Sequence, residues 1–279
     1  MIIDGKAIAE QLLNELRDSL HGTPILTVIQ VGECPASTTY IRMKRQACER
    51  VGIVARLLQF PPDITMPTLL REIDTLNKGE SDGILLQLPL PAHLDPYLVV
   101  SSIDPNKDVD GFHPINAGRL AIGLPGFVPC TPLGIQMLLM CSGIQIEGRR
   151  VVIVGRSQVV GTPLALLLLQ KKAGGNATVT VAHSQTADLE QVTREADILV
   201  AAIGKARFIT ASMVKKGAVV IDVGINREDG KMVGDVDFER VQPHCAAISP
   251  VPGGVGPMTV AMLLSNTVRA WRQRHHRPK

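Results

Sequence analysis

The chain has 279 residues, enough for one large domain or two ordinary ones, and a formal net charge of +3. That charge is too small to argue for nucleic acid, and the aromatic residues, 3% of the total, are not interleaved with basic ones as in single-strand binders. With 45% hydrophobic residues and so few aromatics, the core must be aliphatic, which suits buried parallel strands covered by helices.

The N-terminus, MIIDGKAIAEQLL, lacks a basic region followed by an apolar run, so it does not read as a signal peptide. Asp4 to Leu20 reads as an amphipathic helix and Ile25 to Val31 as a strand. In the next stretch, Ala36 to Val51, the apolar residues follow a period of about 100° per residue. Ala36, Tyr40, Ile41, Met43, Ala47, Cys48 and Val51 fill one arc, and Arg42, Arg45, Gln46, Glu49 and Arg50 fill the other. Lys44 falls in the middle of the apolar arc, one turn after Tyr40. A protonated amine among apolar groups must find partners or shed its proton more readily, and an amine that exchanges protons near neutral pH is a candidate general acid or base. The helix alone favours the plainer reading, in which Lys44 lays its stem on the core with its head in water.

Val54 to Phe60 is a second strand, Pro67 to Asn77 a helix, and Gly83 to Leu88 a third strand. This βαβαβ order predicts a parallel sheet with right-handed crossovers. Pro89 to Pro132, rich in Pro, Gly, Asp and Asn, reads as a long irregular segment, functional or marking a boundary. The pattern then restarts. Leu133 to Met140 and Gly161 to Lys172 read as helices, and Val151 to Val154, Thr178 to Ala182, Ile198 to Ile203, Ala218 to Val223 and Ala246 to Ser249 as strands. The Asp-Gly pair in Asn226 to Lys231 marks a hairpin, and Thr259 to Arg272 a closing helix.

Cys34, Cys48, Cys130, Cys141 and Cys245 are scattered and odd in number, with no CxxC. Neither a zinc site nor a disulfide framework is indicated, and reduced thiols in the cytoplasm are the simplest reading. Charges and prolines interrupt every long apolar run, so no membrane span is expected.

Val151 to Pro163, VVIVGRSQVVGTP, is a strand, a glycine turn and a helix start, the context in which backbone N–H groups hold a pyrophosphate. Of the three glycines of the dinucleotide fingerprint only Gly155 is in place; Ser157 and Val160 take the other two positions, and Gly161 follows. An ordinary strand-to-helix turn would read the same way. At the end of the second strand of this half, where an NAD enzyme usually carries an acidic residue, stand His183 and Ser184. Arg156 could face a 2′-phosphate, so the sequence leans to NADP over NAD.

Six segments together carry a resemblance: GECPASTTYIRMK (Gly32 to Lys44), LLQLPLP (Leu85 to Pro91), NKDVDGFHPINAGRL (Asn106 to Leu120), PCTPLG (Pro129 to Gly134), the glycine turn, and SPVPGGVGPMT (Ser249 to Thr259). In order through nearly the whole chain, they closely resemble the bifunctional methylenetetrahydrofolate dehydrogenase/cyclohydrolase (FolD) family. The resemblance implies two α/β domains. Residues 1–130, completed by a closing helix within 257–279 that packs back on them, would form the folate-binding catalytic domain. Residues 131–256 would form a Rossmann-like NADP-binding domain.

It further implies oxidation of 5,10-methylenetetrahydrofolate to the 5,10-methenyl form with NADP, then hydrolysis to 10-formyltetrahydrofolate, in one-carbon metabolism that feeds purine biosynthesis. Lys44 would handle protons, Tyr40 would lie against the folate, Gln87 would hold the Lys44 amine, and Asp110 would take the donor-rich edge of the pterin. Pro252, Gly253 and Gly254 would line the substrate site, and Gly155, Arg156, Ser157, Gly161, His183 and Ser184 the cofactor site. No metal is implied. The expected molecule is a cytoplasmic homodimer that binds small molecules, with neither nucleic acid nor membrane as partner. A shikimate-type dehydrogenase, a non-catalytic dinucleotide sensor and a dehydrogenase without the hydrolase are the rival readings.

Overall fold

The structure, a computed structural model, describes residues 1–32 and 35–275, with residues 35–40 described by backbone alone. The chain divides into two compact units, Gln11–Cys130 with Val260–Lys279, and Met1–Glu10 with Thr131–Thr259. The expected boundaries did not include the first ten residues in the second of these.

The chain opens with α1 (Gly5–Asp18), β1 (Ile25–Val31), α2 (Pro35–Val51), β2 (Val54–Phe60), α3 (Met66–Lys78) and β3 (Gly83–Leu86). The strands form a parallel sheet in the order β2-β1-β3, with Ile25 opposite Val54 and Leu26 opposite Gly83. The expected βαβαβ order therefore holds. β1, an almost unbroken aliphatic run, is buried along nearly its whole length between its neighbours, whereas edge strand β2 alternates. On α3, Leu69 and Ile73 are four apart and both fully buried, which seats the helix on Ile29, Ile84 and Leu86.

The segment expected to be irregular contains two helices, α4 (Pro96–Ser101) and α5 (Pro114–Ala121). Each starts on a capping residue followed by proline. The Asp95 carboxylate accepts from Tyr97 N–H at 2.8 Å, and His113 Nδ1 accepts from Ile115 N–H at 3.0 Å. Proline at the first helical position wastes no donor, so here it starts a helix rather than breaking one.

Beyond α6 (Cys130–Cys141) come β4 (Arg150–Val154), α7 (Gly161–Leu169), β5 (Thr178–Ala182), α8 (Leu189–Arg194), β6 (Ile198–Ala201), β7 (Val219–Asp222), β8 (Asn226–Glu228), β9 (Lys231–Val233), α9 (Phe238–Val241), β10 (Ala247–Ile248) and α10 (Val255–His275). A five-stranded parallel sheet runs β10-β7-β6-β4-β5. The order reverses at β4, whose chain successor β5 lies on one side and β6 on the other, as in doubly wound dinucleotide folds. β8 and β9 form the expected hairpin, with Asp229 and Gly230 at φ of 48° and 75°. The N-terminus joins this unit: Ile3 N–H donates to the Ile248 carbonyl at 2.9 Å, and Ile248 N–H to that of Met1 at 3.0 Å.

From Val260 on, α10 belongs with the first unit, as expected of a closing helix that packs back. Trp271 lies so close to Gly22 that any Cβ there would collide with the indole. Arg272 donates to the Ser19 carbonyl at 2.9 Å and Arg274 to that of Glu80 at 2.7 Å.

Candidate active site

In the first unit α2 presents Ile41, Ala47, Cys48 and Val51 to the core. Met43, assigned to the apolar arc by the helical wheel, is instead 46% exposed. The buried arc is narrower than the wheel suggested, but at 100° per residue Lys44 still falls within it, between Cys48 and Val51, and is half-buried. Its Nζ donates to Gln87 Oε1 at 3.2 Å. Gln87 is well placed to receive it. Its N–H donates to the Ile29 carbonyl at 2.8 Å, continuing the ladder past the end of β3. Its Nε2 donates to the Leu88 carbonyl at 3.0 Å. With the NH₂ end tied back, the amide oxygen faces the amine. Tyr40 lies outside the described residues.

The Asp108 to Gly111 turn separates its two carboxylates by task. Asp108 is buried and accepts from Phe112 N–H (3.2 Å), His113 N–H (2.9 Å) and Asn116 Nδ2 (2.8 Å). Its role is to shape the turn. Gly111, at φ +76°, packs so closely on Val128 and Pro129 that a Cβ would strike their backbone. Asp110 is thereby left facing the Lys44 charge. Burial raises its pKa and Asp108 adds to the rise, while the Lys44 charge and the neighbouring Cys130 thiol favour the ionised form. Lys44, Gln87 and Asp110 thus come together in one unit.

Cys130 and Asn266 are site-supporting residues that the sequence reading did not single out. The Cys130 thiol is buried, and its pKa is pushed well up by desolvation and by the Asp110 charge. Asn266 Nδ2 donates to the Val109 carbonyl at 2.8 Å and to that of Val128 at 3.3 Å, which holds both flanks of the site. Cys130 stood inside the PCTPLG segment, but a lone cysteine signals no role, and Asn266 lies in a helix that reads as packing. Burial also pushes the Cys48 thiol, next to Lys44, up to about 12, so it stays protonated and inert.

The second unit holds the other candidates. Gly155 N–H donates to the Ala182 carbonyl at 2.8 Å, and at φ +126° the residue abuts the Ala202 carbonyl so closely that only glycine fits. The fingerprint's last glycine is displaced by one for a visible reason. A Cβ on Gly161 would strike the Gly155 carbonyl, so Gly161 supplies the tight helix-to-turn packing. Ser157 Oγ accepts from Val160 N–H at 3.1 Å, and Thr162 Oγ1 donates to the Arg156 carbonyl at 3.2 Å. The Arg156 side chain is exposed. His183 follows β5, beside the glycine turn because Val154 and Ala182 are paired. Its Nδ1 accepts from Gln185 N–H at 3.2 Å, and Ser184 is exposed. Pro252, Gly253 and Gly254 also lie in this unit. Gly253 has φ +106° and its carbonyl accepts from Lys6 N–H at 2.9 Å, and Gly254 is packed against Ser249 and Pro250.

Residues 3–110 match the family model for the tetrahydrofolate dehydrogenase/cyclohydrolase catalytic domain, and residues 129–275 match that for its NAD(P)-binding domain. The chain belongs to the tetrahydrofolate dehydrogenase/cyclohydrolase family. It is 52% identical to the bifunctional protein FolD of Desulfovibrio desulfuricans, over 98% of this chain and 99% of that protein. It is 50% identical to FolD of Halalkalibacterium halodurans, with the same coverage. Among solved structures, the Campylobacter jejuni FolD dehydrogenase/cyclohydrolase matches with a TM-score of 0.94 at 48% identity, over 98% of this chain and 99% of that one. The Trypanosoma brucei enzyme, complexed with NADP and an inhibitor, matches at 0.91 and 39% identity, over 98% of each chain. Shikimate dehydrogenase from Aquifex aeolicus, at 12% identity, 91% and 93% coverage and a TM-score of 0.54, shares the fold alone. Within the family's frame, Lys44, Gln87 and Asp110 stand in the catalytic domain and the glycine turn in the NAD(P)-binding domain.

Proposed function

We propose that the protein oxidises 5,10-methylenetetrahydrofolate to 5,10-methenyltetrahydrofolate with NADP and hydrolyses that product to 10-formyltetrahydrofolate. The observation that carries this reading is the Lys44–Gln87 hydrogen bond of 3.2 Å with Asp110 beside it. The two relatives at 52% and 50% identity are both named bifunctional.

The residues of the second unit suit a dinucleotide. The Gly155 turn lets a ligand approach the backbone, α7 begins at the turn, and the end of β5 carries His183 and Ser184 where an acidic residue would favour NAD. Exposed Arg156 can supply charge-assisted bonds to a 2′-phosphate. The dinucleotide supplies the hydride chemistry. The chain's own residues bind, orient and move protons. Asp110, ionised, is acceptor-only and suits the amino and N–H edge of a pterin. Pro252, Gly253 and Gly254 offer backbone for close approach to the substrate, and Tyr40, one turn before Lys44, would stack on the folate.

For the hydrolysis, water adds to the methenyl carbon and the ring opens. Lys44 exchanges protons during these steps. Gln87 orients the amine without fixing its charge, because an amide oxygen is neutral. A carboxylate in its place would hold the amine protonated.

A homodimer fits the exposed edge of β2, where Val54 and Leu57 are 41% and 38% exposed. A cytoplasmic location is supported by the free thiols of Cys48, Cys130 and Cys245. Among the described residues no helix is long and apolar enough to cross a membrane.

An absorbance assay with 5,10-methylenetetrahydrofolate and either NADP⁺ or NAD⁺ tests the reading, following reduced cofactor and methenyl product together. Turnover with NADP⁺ preferred, and decay of the methenyl signal faster than in buffer, is expected. Equal or better turnover with NAD⁺ would remove the role given to Arg156. Methenyl accumulation with no catalysed decay would leave a dehydrogenase alone.

A further inference from the structure

Two carboxylates in the second unit take no part in the site described so far, yet both are buried. Asp222 ends β7, and Asp235 follows β9. Burying a carboxylate is costly unless donors surround it, and here they do. Asp235 Oδ2 accepts from Ile203 N–H at 2.6 Å and Gly204 N–H at 2.9 Å. Its Oδ1 accepts from Lys205 N–H and from Asn226 Nδ2, both at 2.9 Å. Three consecutive amides just after β6 thus converge on one side chain.

Asp235 is itself anchored from the sheet. Asp222 Oδ1 accepts from Asp235 N–H at 2.8 Å and from Gly224 N–H at 3.1 Å, and Oδ2 accepts from Val236 N–H at 3.0 Å. Ser249 Oγ, beyond β10, accepts from Asp222 N–H at 2.8 Å. Gly224 and Gly234 leave room for the pair, since a Cβ on either would strike the Asp235 or Asp222 carboxylate. The two carboxylates therefore lock the loop after β6 to the end of β7 through the β8–β9 hairpin.

That loop borders the glycine turn directly. Ala202, the residue before the three tied amides, has its carbonyl against Gly155. β6 and β4 are neighbours at the point where the strand order reverses, and ligands of such sheets bind outside the carboxyl ends of the strands there. We propose that Asp235 is a positioning residue for the dehydrogenase step: by tying Ile203, Gly204 and Lys205 in place it shapes the floor on which the dinucleotide lies, and Asp222 sets Asp235. The inference rests on dinucleotide use by the wild-type chain, which the absorbance assay tests separately, so failure of either is distinguishable.

Asp235→Asn tests it, because the amide replaces one acceptor oxygen with a donor that faces bound N–H groups. Hydrolysis of the methenyl substrate, assayed without dinucleotide, reports whether the chain is folded and its first unit intact. The expected result is a dinucleotide Kd and KM raised about tenfold or more, with hydrolysis within about twofold of wild type. Unchanged dinucleotide Kd in the folded variant overturns the proposal, as does an equal loss of both activities. If Asp235→Asn does not fold, Asn226→Ala, which removes only one donor to Asp235, decides. A rise of about threefold in dinucleotide KM with unaltered hydrolysis supports the role, and no rise rejects it.

Discussion

The chemistry of the first unit rests on the groups that hold the Lys44 amine. It donates to a neutral amide, itself oriented by the Leu88 carbonyl, and its charge acts on the Asp110 carboxylate. If Lys44 is the proton carrier of the hydrolysis, Lys44→Met should lower that rate by about a hundredfold or more, while folate still binds by equilibrium titration. Full hydrolase activity in this variant would remove the assignment. Asp110→Asn keeps the shape and removes the charge. The expected effect is a folate KM raised roughly tenfold to a hundredfold, in line with about 1.5–3 kcal/mol for a hydrogen bond to a charged group. At this scale Lys44 was legible because a cation broke an apolar arc. Met43 was misread because a helical wheel gives a residue's direction and not the width of the face its neighbours cover.

Among the elements, strands were read most faithfully. β1, β2 and β5 begin and end where their runs of aliphatic and β-branched residues do. α4 and α5 were hidden because their Asp-Pro and His-Pro starts look like loop composition until the cap bonds are seen. The junction of β7 with the hairpin yields a pH prediction. Burial, as the largest cause, raises the pKa of Asp222 from 3.8 to about 7. The folded chain therefore holds this proton more tightly than the unfolded one. The resulting stability is fully present below the ordinary carboxylate range and is lost as pH rises through about 7. The change is on the order of a few kcal/mol. Urea midpoints measured from pH 5 to pH 8 should fall for the wild-type chain and fall less steeply for Asp222→Asn. Equal slopes would show that other groups govern this range.

For the molecule as a whole, α10 links the end of the chain to the beginning of the first unit. Leu263, Leu264, Val268 and Trp271 are buried along it, and Trp271 fills the space that Gly22 leaves open. Trp271→Ala should cost about 3–5 kcal/mol in denaturant unfolding, as large-to-small core changes do. A loss under about 1 kcal/mol would mean the helix is held mainly by its arginine bonds. Sedimentation of the wild-type chain should give twice the chain mass, and Leu57→Lys on the β2 edge should shift it toward one.

The two α/β halves, the parallel strands, the glycine turn and the family are all legible along the chain, because periodicity, glycine placement and contiguous motifs are local properties. The folded chain adds that Gln87 turns its oxygen to Lys44, that Cys130 and Asn266 support the Asp110 turn, and that Gly161 packs on the Gly155 carbonyl. It also brings three amides after β6 onto Asp235. Each of these joins residues far apart in the chain or depends on the direction of a side chain, and the pattern of neighbours along a sequence specifies neither.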